Sequence, residues 1–249
     1  MNTDLAQLRA GAIAIINSFS DKVNNPIRNY ILSVFNDPYV NDPIVTSDPD
    51  VLISELNKIV VTGGGDCPEL ALLGLKNALE AALPNSLAFV FTDASAKDYD
   101  LYDEAMEMIQ RKQIRVSFFL TGNCGAPKSP GFEVYSKLAR VSDGLAFELD
   151  RTTIKDALLA ISVSLDTDFV SLRSVDFEAP GRNIIPLSVD ESFEEVMVSM
   201  SGENAEMTIR DSKNQIVTGP KSFSSRNIII TTFEVADTEY TIETSSTSE

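Results

Sequence analysis

The stretch from Val61 to Leu79 reads VTGGGDCPELALLGLKNAL: three glycines, then Asp66, Cys67, Pro68 and Glu69, then an apolar-periodic helix. Glycine-rich turns at helix starts usually cradle phosphate. A phosphate loop also needs a lysine and a metal-binding Ser or Thr. GGGDCPE has neither, and Asp66 and Glu69 would repel the ligand. The dinucleotide pattern G-x-G-x-x-G is absent as well. Two readings of Asp66 stay open. It can be the N-cap of a helix running from about Cys67 to Leu83, with Glu69 completing an acidic capping box and Pro68 in the first turn. It can also be an oxygen ligand for a hard cation, magnesium or calcium.

Asp93 is the second candidate. It ends the apolar run LAFVFTD, which reads as a buried strand. In an open parallel sheet, ligands gather beyond the carboxyl ends of the strands. The alternative is a turn or cap residue for the next helix. Asp66 and Asp93 both lead out of this edge, so the two can converge. Asp37, Asp42, Asp48 and Asp50 form an acidic, proline-punctuated loop explained by caps and turns, with an extra calcium site as the alternative. KDYDLYDE, Lys97 to Glu104, reads as a solvated helix start whose acids favour the dipole.

Helical and strand patterns alternate up to about Leu165. Leu5, Leu8, Ala12, Ile15, Ile16 and Phe19 recur at spacings of three and four, a helix. NYILSVF reads as a buried strand, NDPYVNDPIVTSDPD as turn-rich, and SDPDVLISELNKIV as a capped helix with Pro49 in its first turn. After the glycine loop and its helix come the strand LAFVFTD, the helix YDLYDEAMEMIQRKQ and the strand IRVSFFLTG. The helix GFEVYSKLARVSDG, ended by Gly144, the strand LAFEL and the helix TTIKDALLAISVSL complete the series. Apolar strands separated by helices predict a doubly wound, mostly parallel α/β sheet. From about Asp166 short alternating or β-branched runs predict a small all-β, sandwich-like domain, with DSKNQ as a hairpin turn and SSTSE as a frayed tail.

The chain has 249 residues and a formal net charge of −17, with acids outnumbering bases on both sides of Asp166. That field repels nucleic acid and anionic lipid, and no apolar run is long enough to span a membrane. There is no histidine and no tryptophan. Histidine-based triads and histidine zinc sites are therefore excluded. Carboxylates that hold magnesium could still serve a phosphoryl-transfer or hydrolytic enzyme, built here on Asp66 and Asp93. Against it, no Lys, Arg or His is evident beside them to stabilise a transferring group.

GGGDCPE, VFTDASAKDYDL and FFLTGNCG, in this order and spacing, together with VFND and TSDPD, resemble the von Willebrand factor A domain of the hemicentin type. The resemblance covers residue 1 to about 165, and residues 166–249 look like the β-domain that follows it. It implies a metal-ion-dependent adhesion site. Asp66 matches the second-loop position and Asp93 the third. The D-x-T-x-S or D-x-S-x-S element that comes first in that family is not found, and Met1 falls about where it would end. The resemblance thus implies an N-terminally truncated chain lacking its first, central strand and a signal peptide, with a partial site that binds Mg2+ or Ca2+ weakly. Cys67 and Cys124 match cysteines of the family. A disulfide is implied, with two free, partly buried thiols as the alternative. The implied role is a non-enzymatic, extracellular adhesion or matrix-interaction module, engaging a protein ligand through an acidic side chain.

Overall fold

The computed structural model describes residues 2–20, 27–60, 66–149, 153–155, 157–158, 172–175, 177, 179–225 and 227–247. Two compact units are present, Met1–Phe147 and Glu148–Glu249. The domain boundary expected near residue 165 lies outside the described residues, as does most of the last expected helix. Ile154, Lys155, Ala157 and Leu158 of that segment are helical.

In the first unit, α1 (Asn2–Ser20) follows the predicted periodicity. Its Ala12 and Ile16 pack with Tyr30, Leu52 and Leu56. Strands β1 (Tyr30–Leu32) and β2 (Ile44–Thr46) pair antiparallel. The turn-rich reading of NDPYVNDPIVTSDPD therefore needs correction. Ile44–Thr46 is strand, its β-branched residues satisfying their backbone against β1. α2 (Pro49–Lys58) begins as expected, with the Asp48 carboxylate accepting from the Asp50 N–H at 2.9 Å.

The central layer is β3 (Leu87–Thr92), β4 (Arg115–Leu120) and β5 (Ala146–Glu148), three parallel strands in that order. The middle strand β4 is the most deeply buried, and its Val116, Phe118, Phe119 and Leu120 are almost fully covered. That burial is what a run apolar on both faces demands. Among the described residues β3 and β1 each pair on one side only. α3 (Ala71–Ala81), α4 (Tyr102–Lys112, entered through a 3-10 turn at Tyr99–Leu101) and α5 (Pro130–Val141) cover the sheet. Leu72, Leu75, Leu79, Ile109, Tyr135 and Leu138 form the cluster they share with it.

α5 ends differently from the predicted glycine cap. Asp143 takes the left-handed conformation at φ 53°. Gly144 serves close approach instead, since a Cβ there would lie 2.0 Å from the Val116 carbonyl oxygen.

The second unit is a two-sheet β structure. One sheet runs β6 (Gly181–Ser188), β12 (Glu239–Ser246), β8 (Glu206–Asp211), β9 (Ile216–Val217). The other runs β10 (Lys221–Ser224), β11 (Ile228–Glu234), β7 (Glu195–Ser201). Leu187, Val196, Ile209, Phe233 and Ile242 from both sheets make one core, as in a sandwich. DSKNQ forms the β8–β9 turn, with the Asp211 N–H donating to the Gln215 carbonyl at 3.0 Å. The Tyr240 hydroxyl accepts from the Ala236 and Asp237 N–H groups, each at 2.9 Å. Ser245 and Ser246, expected to fray, are paired in β12, because β6 offers them partners.

The end of α3 is closed by a residue of α4. The Lys112 ammonium donates to the Leu79, Glu80 and Ala82 carbonyls at 2.6, 2.8 and 2.8 Å. It satisfies orphan acceptors and opposes the negative end of the helix dipole. Lys112→Met, which keeps the apolar stem, is expected to lower stability by about 1–3 kcal/mol in urea denaturation.

Candidate functional site

Four loops meet at the carboxyl end of β3. They are residues 33–43 after β1, residues 66–70 before α3, residues 93–98 after β3, and residues 121–129 after β4. The segment 93–98 is the common partner. Its Ser95 carbonyl accepts from the Glu69 N–H at 3.0 Å, and the Lys97 N–H donates to the Glu69 carbonyl at 2.8 Å. The Ala96 N–H donates to the Gly131 carbonyl at 2.7 Å. A Cβ on Gly131 would stand 2.3 Å from the Ala96 oxygen, so only glycine permits this approach. The Tyr135 hydroxyl donates to the Ala94 carbonyl at 3.1 Å, and burial pushes its pKa up, keeping the proton in place.

Cys67 and Cys124 form a disulfide, with Cα atoms 5.6 Å apart. The bridge joins the loop before α3 to the loop after β4. Ser95 is held between them, its N–H donating to the Cys124 sulfur at 3.3 Å and its hydroxyl to the Asn123 carbonyl at 3.1 Å.

The capping reading of Asp66 does not hold. α3 starts at Ala71, not near Cys67, and its N-cap residue Leu70 makes no side-chain cap bond. The cap comes from a distance. Asp98, 8% exposed, accepts from the Leu72 and Leu73 N–H groups at 3.1 and 2.7 Å. KDYDLYDE is thus not wholly a solvated helix start. Its first aspartate carries α3 because the isolated bridge between Glu69 and Ala96 brings it under the helix.

Asp66 is exposed, and its carboxylate lies 3.1 Å from the Lys97 ammonium. Lys97 also pairs with Asp37. The hydrogen bond from Lys97, and then its charge, hold Asp66 below its ordinary value. The expectation that no basic group stands near Asp66 is overturned. Lys97 lies 31 positions away in sequence, and the β3 loop folds back to deliver it.

Glu69 is the residue that sequence reasoning left to a capping box. One of its carboxylate oxygens is buried with no hydrogen-bond partner. Burial pushes its carboxyl up. The Asp37 backbone N–H opposes that rise by hydrogen bonding, while the charges of Asp37, Asp93 and Asp66 add to it. Those four acids therefore share one neighbourhood. Even so, among the described residues no group of three or more Cys, Asp or Glu side chains is arranged to hold a metal ion. With Asp66 engaged by Lys97, the described residues do not fit a complete divalent-cation site.

Residues 1–151 match the von Willebrand factor A domain family, and the chain belongs to it. It is 36% identical to mouse hemicentin-2 over 214 residues and to human hemicentin-1 over 217 residues, 86% and 87% of this chain. It is 30% identical to human von Willebrand factor A domain-containing protein 7 over 192 residues, 74% of this chain and 21% of that protein. The matched region spans 4% of either hemicentin. Among the described residues no helix is long and apolar enough to cross a membrane.

Two expectations follow. The disulfide closes a segment of 57 positions. Replacing both cysteines by serine should cost about 2–4 kcal/mol in urea denaturation. It should also speed hydrogen exchange at the Glu69 and Ser95 amides. Glu69 has its folded pKa raised, so its contribution to stability is fully present below its ordinary value and is lost as pH rises through the folded value. Glu69→Gln keeps the acceptor without the charge. The variant should gain on the parent as pH rises from about 4 to 7. A difference independent of pH would show that the carboxylate is not penalised.

Proposed function

We propose that this chain is a non-enzymatic protein-interaction module of the extracellular matrix, using the loop edge that carries Asp66 and Asp93 as its contact surface. What supports this most is the convergence of four loops on one acidic edge, clamped by the Cys67–Cys124 bridge. Rigid scaffolds that display polar loop residues are how such modules bind. The hemicentin relationship and the disulfide both favour an oxidising, extracellular setting. In this reading the partner contributes an acidic side chain, and Asp66 and Asp93 take the family's second- and third-loop positions.

Two carboxylates leave a hard cation short of the six or more oxygens it takes. Mg2+ or Ca2+ binding by this chain is accordingly weak. Isothermal titration should show weak binding, tightening when a strand carrying a D-x-T-x-S element is grafted ahead of Met1 and lost again on Asp66→Ala. Tight binding by the ungrafted chain, abolished by Asp66→Ala, would show a site already complete. Unchanged weak binding by the grafted chain would remove Asp66 from any metal role. Adhesion to cell-derived matrix, compared between the parent and the Asp93→Ala variant, reads the contact surface itself.

The competing reading, a magnesium-dependent phosphoryl-transfer or hydrolytic enzyme on Asp66 and Asp93, gains one nearby cation in Lys97. That ammonium is already committed to two carboxylates. Magnesium-dependent turnover of a phosphate ester, lost on Asp93→Ala, would establish the enzyme and overturn the module.

A further inference from the structure

Lys97 differs from an ordinary surface lysine at both ends. Its backbone N–H is fixed to the Glu69 carbonyl at 2.8 Å, and the following residue, Asp98, is buried under α3. Its ammonium bridges Asp66 and Asp37, which come from two different loops, 31 and 60 positions away. The Asp37 side chain is only 16% exposed, so one partner is held in the protein surface rather than on a free tether. Beside this pair, Glu69 feels the charges of Asp37, Asp66 and Asp93, so the acids of this edge lie close together. The only group of positive charge that the structure brings onto Asp66 is this one, among the described residues.

We propose that Lys97 is the resident counter-cation of this edge: it neutralises the Asp37–Asp66 pair from within the chain, keeps the loops in place without a divalent ion, and suppresses divalent-ion binding at Asp66. The reasoning is electrostatic. Carboxylates of separate loops repel one another unless a cation lies between them. A divalent ion drawing on Asp66 would have to displace the ammonium or sit beside it, against like charge. A lysine ammonium is compact and strongly hydrated, with three donors to share between two carboxylates. It satisfies charge with few fixed ligands, whereas magnesium insists on a near-octahedral oxygen set that the described residues do not offer. This inference rests on the ion pairs and stands apart from the adhesion reading, so either can fail alone.

The test uses the full chain and Lys97→Gln, Lys97→Arg and Asp66→Asn/Lys97→Gln variants. Each is melted in EDTA and in millimolar magnesium or calcium, and each is titrated with terbium as a luminescent calcium probe. The parent and Lys97→Arg should melt at the same temperature with and without the divalent ion. Lys97→Gln should melt lower in EDTA and recover with calcium, whose coordination is the more flexible. Its terbium affinity should rise about tenfold or more over the parent, as removal of an adjacent positive charge implies. The double variant should lose that gain, placing the ion at Asp66. Divalent-ion stabilisation of the parent equal to that of Lys97→Gln would overturn the proposal. So would unchanged terbium affinity in a folded Lys97→Gln variant, or a gain that persists without the Asp66 carboxylate.

Discussion

The first unit depends on the backbone of one short segment, Ala94 to Asp98. Leaving the sheet at Thr92, the chain passes beyond the described strands, and each buried peptide group must find a partner. Thr92 begins the repair, its hydroxyl accepting from the Ala94 N–H at 3.1 Å. Tyr135, Glu69 and Gly131 supply the rest, from α5 and from both sides of the segment. The consequence is mechanical. Once the segment is placed, Asp98 can reach the start of α3, and Lys97 is turned toward Asp37 and Asp66. Helix capping and site electrostatics are thus two results of one set of backbone bonds.

That coupling accounts for the tolerance of so many acids in one place. A chain of net charge −17 gains nothing from crowding several of its carboxylates together. The cost is met differently at each. Asp98 accepts hydrogen bonds from two helix amides. Asp37 and Asp66 share an ammonium. Glu69 has a single backbone donor against burial and three like charges, and it is driven toward protonation. The tension is localised at Glu69 rather than spread over the edge. Strain of this kind concentrates where a protein meets a ligand more often than in a purely structural loop.

Much of this was legible in the sequence. Periodicity placed α2, α4, α5, β3 and β4, because their apolar spacing and their burial are the same fact seen twice. Asp48 was legible as a cap since it lies next to its helix. The pairing of Cys67 with Cys124 came through resemblance and is present in the fold. What stayed hidden shares one feature, a partner remote in the chain. Asp98 caps a helix that starts 27 positions before it, Lys97 finds an acid 60 positions away, and Lys112 reaches the C-cap carbonyl of a helix 30 positions earlier. GGGDCPE looked like a cap because local grammar assigns the nearest carboxylate to the nearest helix. The fold assigned a distant one. Short strands such as β2 were hidden for the related reason that three residues carry no period.

The distinction bears on how Asp66 should be understood. Had it been the N-cap of α3, its position would follow from helix formation alone, and its carboxylate would be consumed by amides. Relieved of that duty by Asp98, it projects from the edge and is answered by the Lys97 ammonium. The nearby disulfide fixes the backbone of its neighbour Cys67 while leaving the carboxylate exposed. A fixed backbone, an exposed acid and a counter-charge supplied from within the chain together describe a carboxylate displayed at the surface yet already neutralised. The cap at Asp98 is therefore as much a part of this surface as Asp66, although no ligand would touch it.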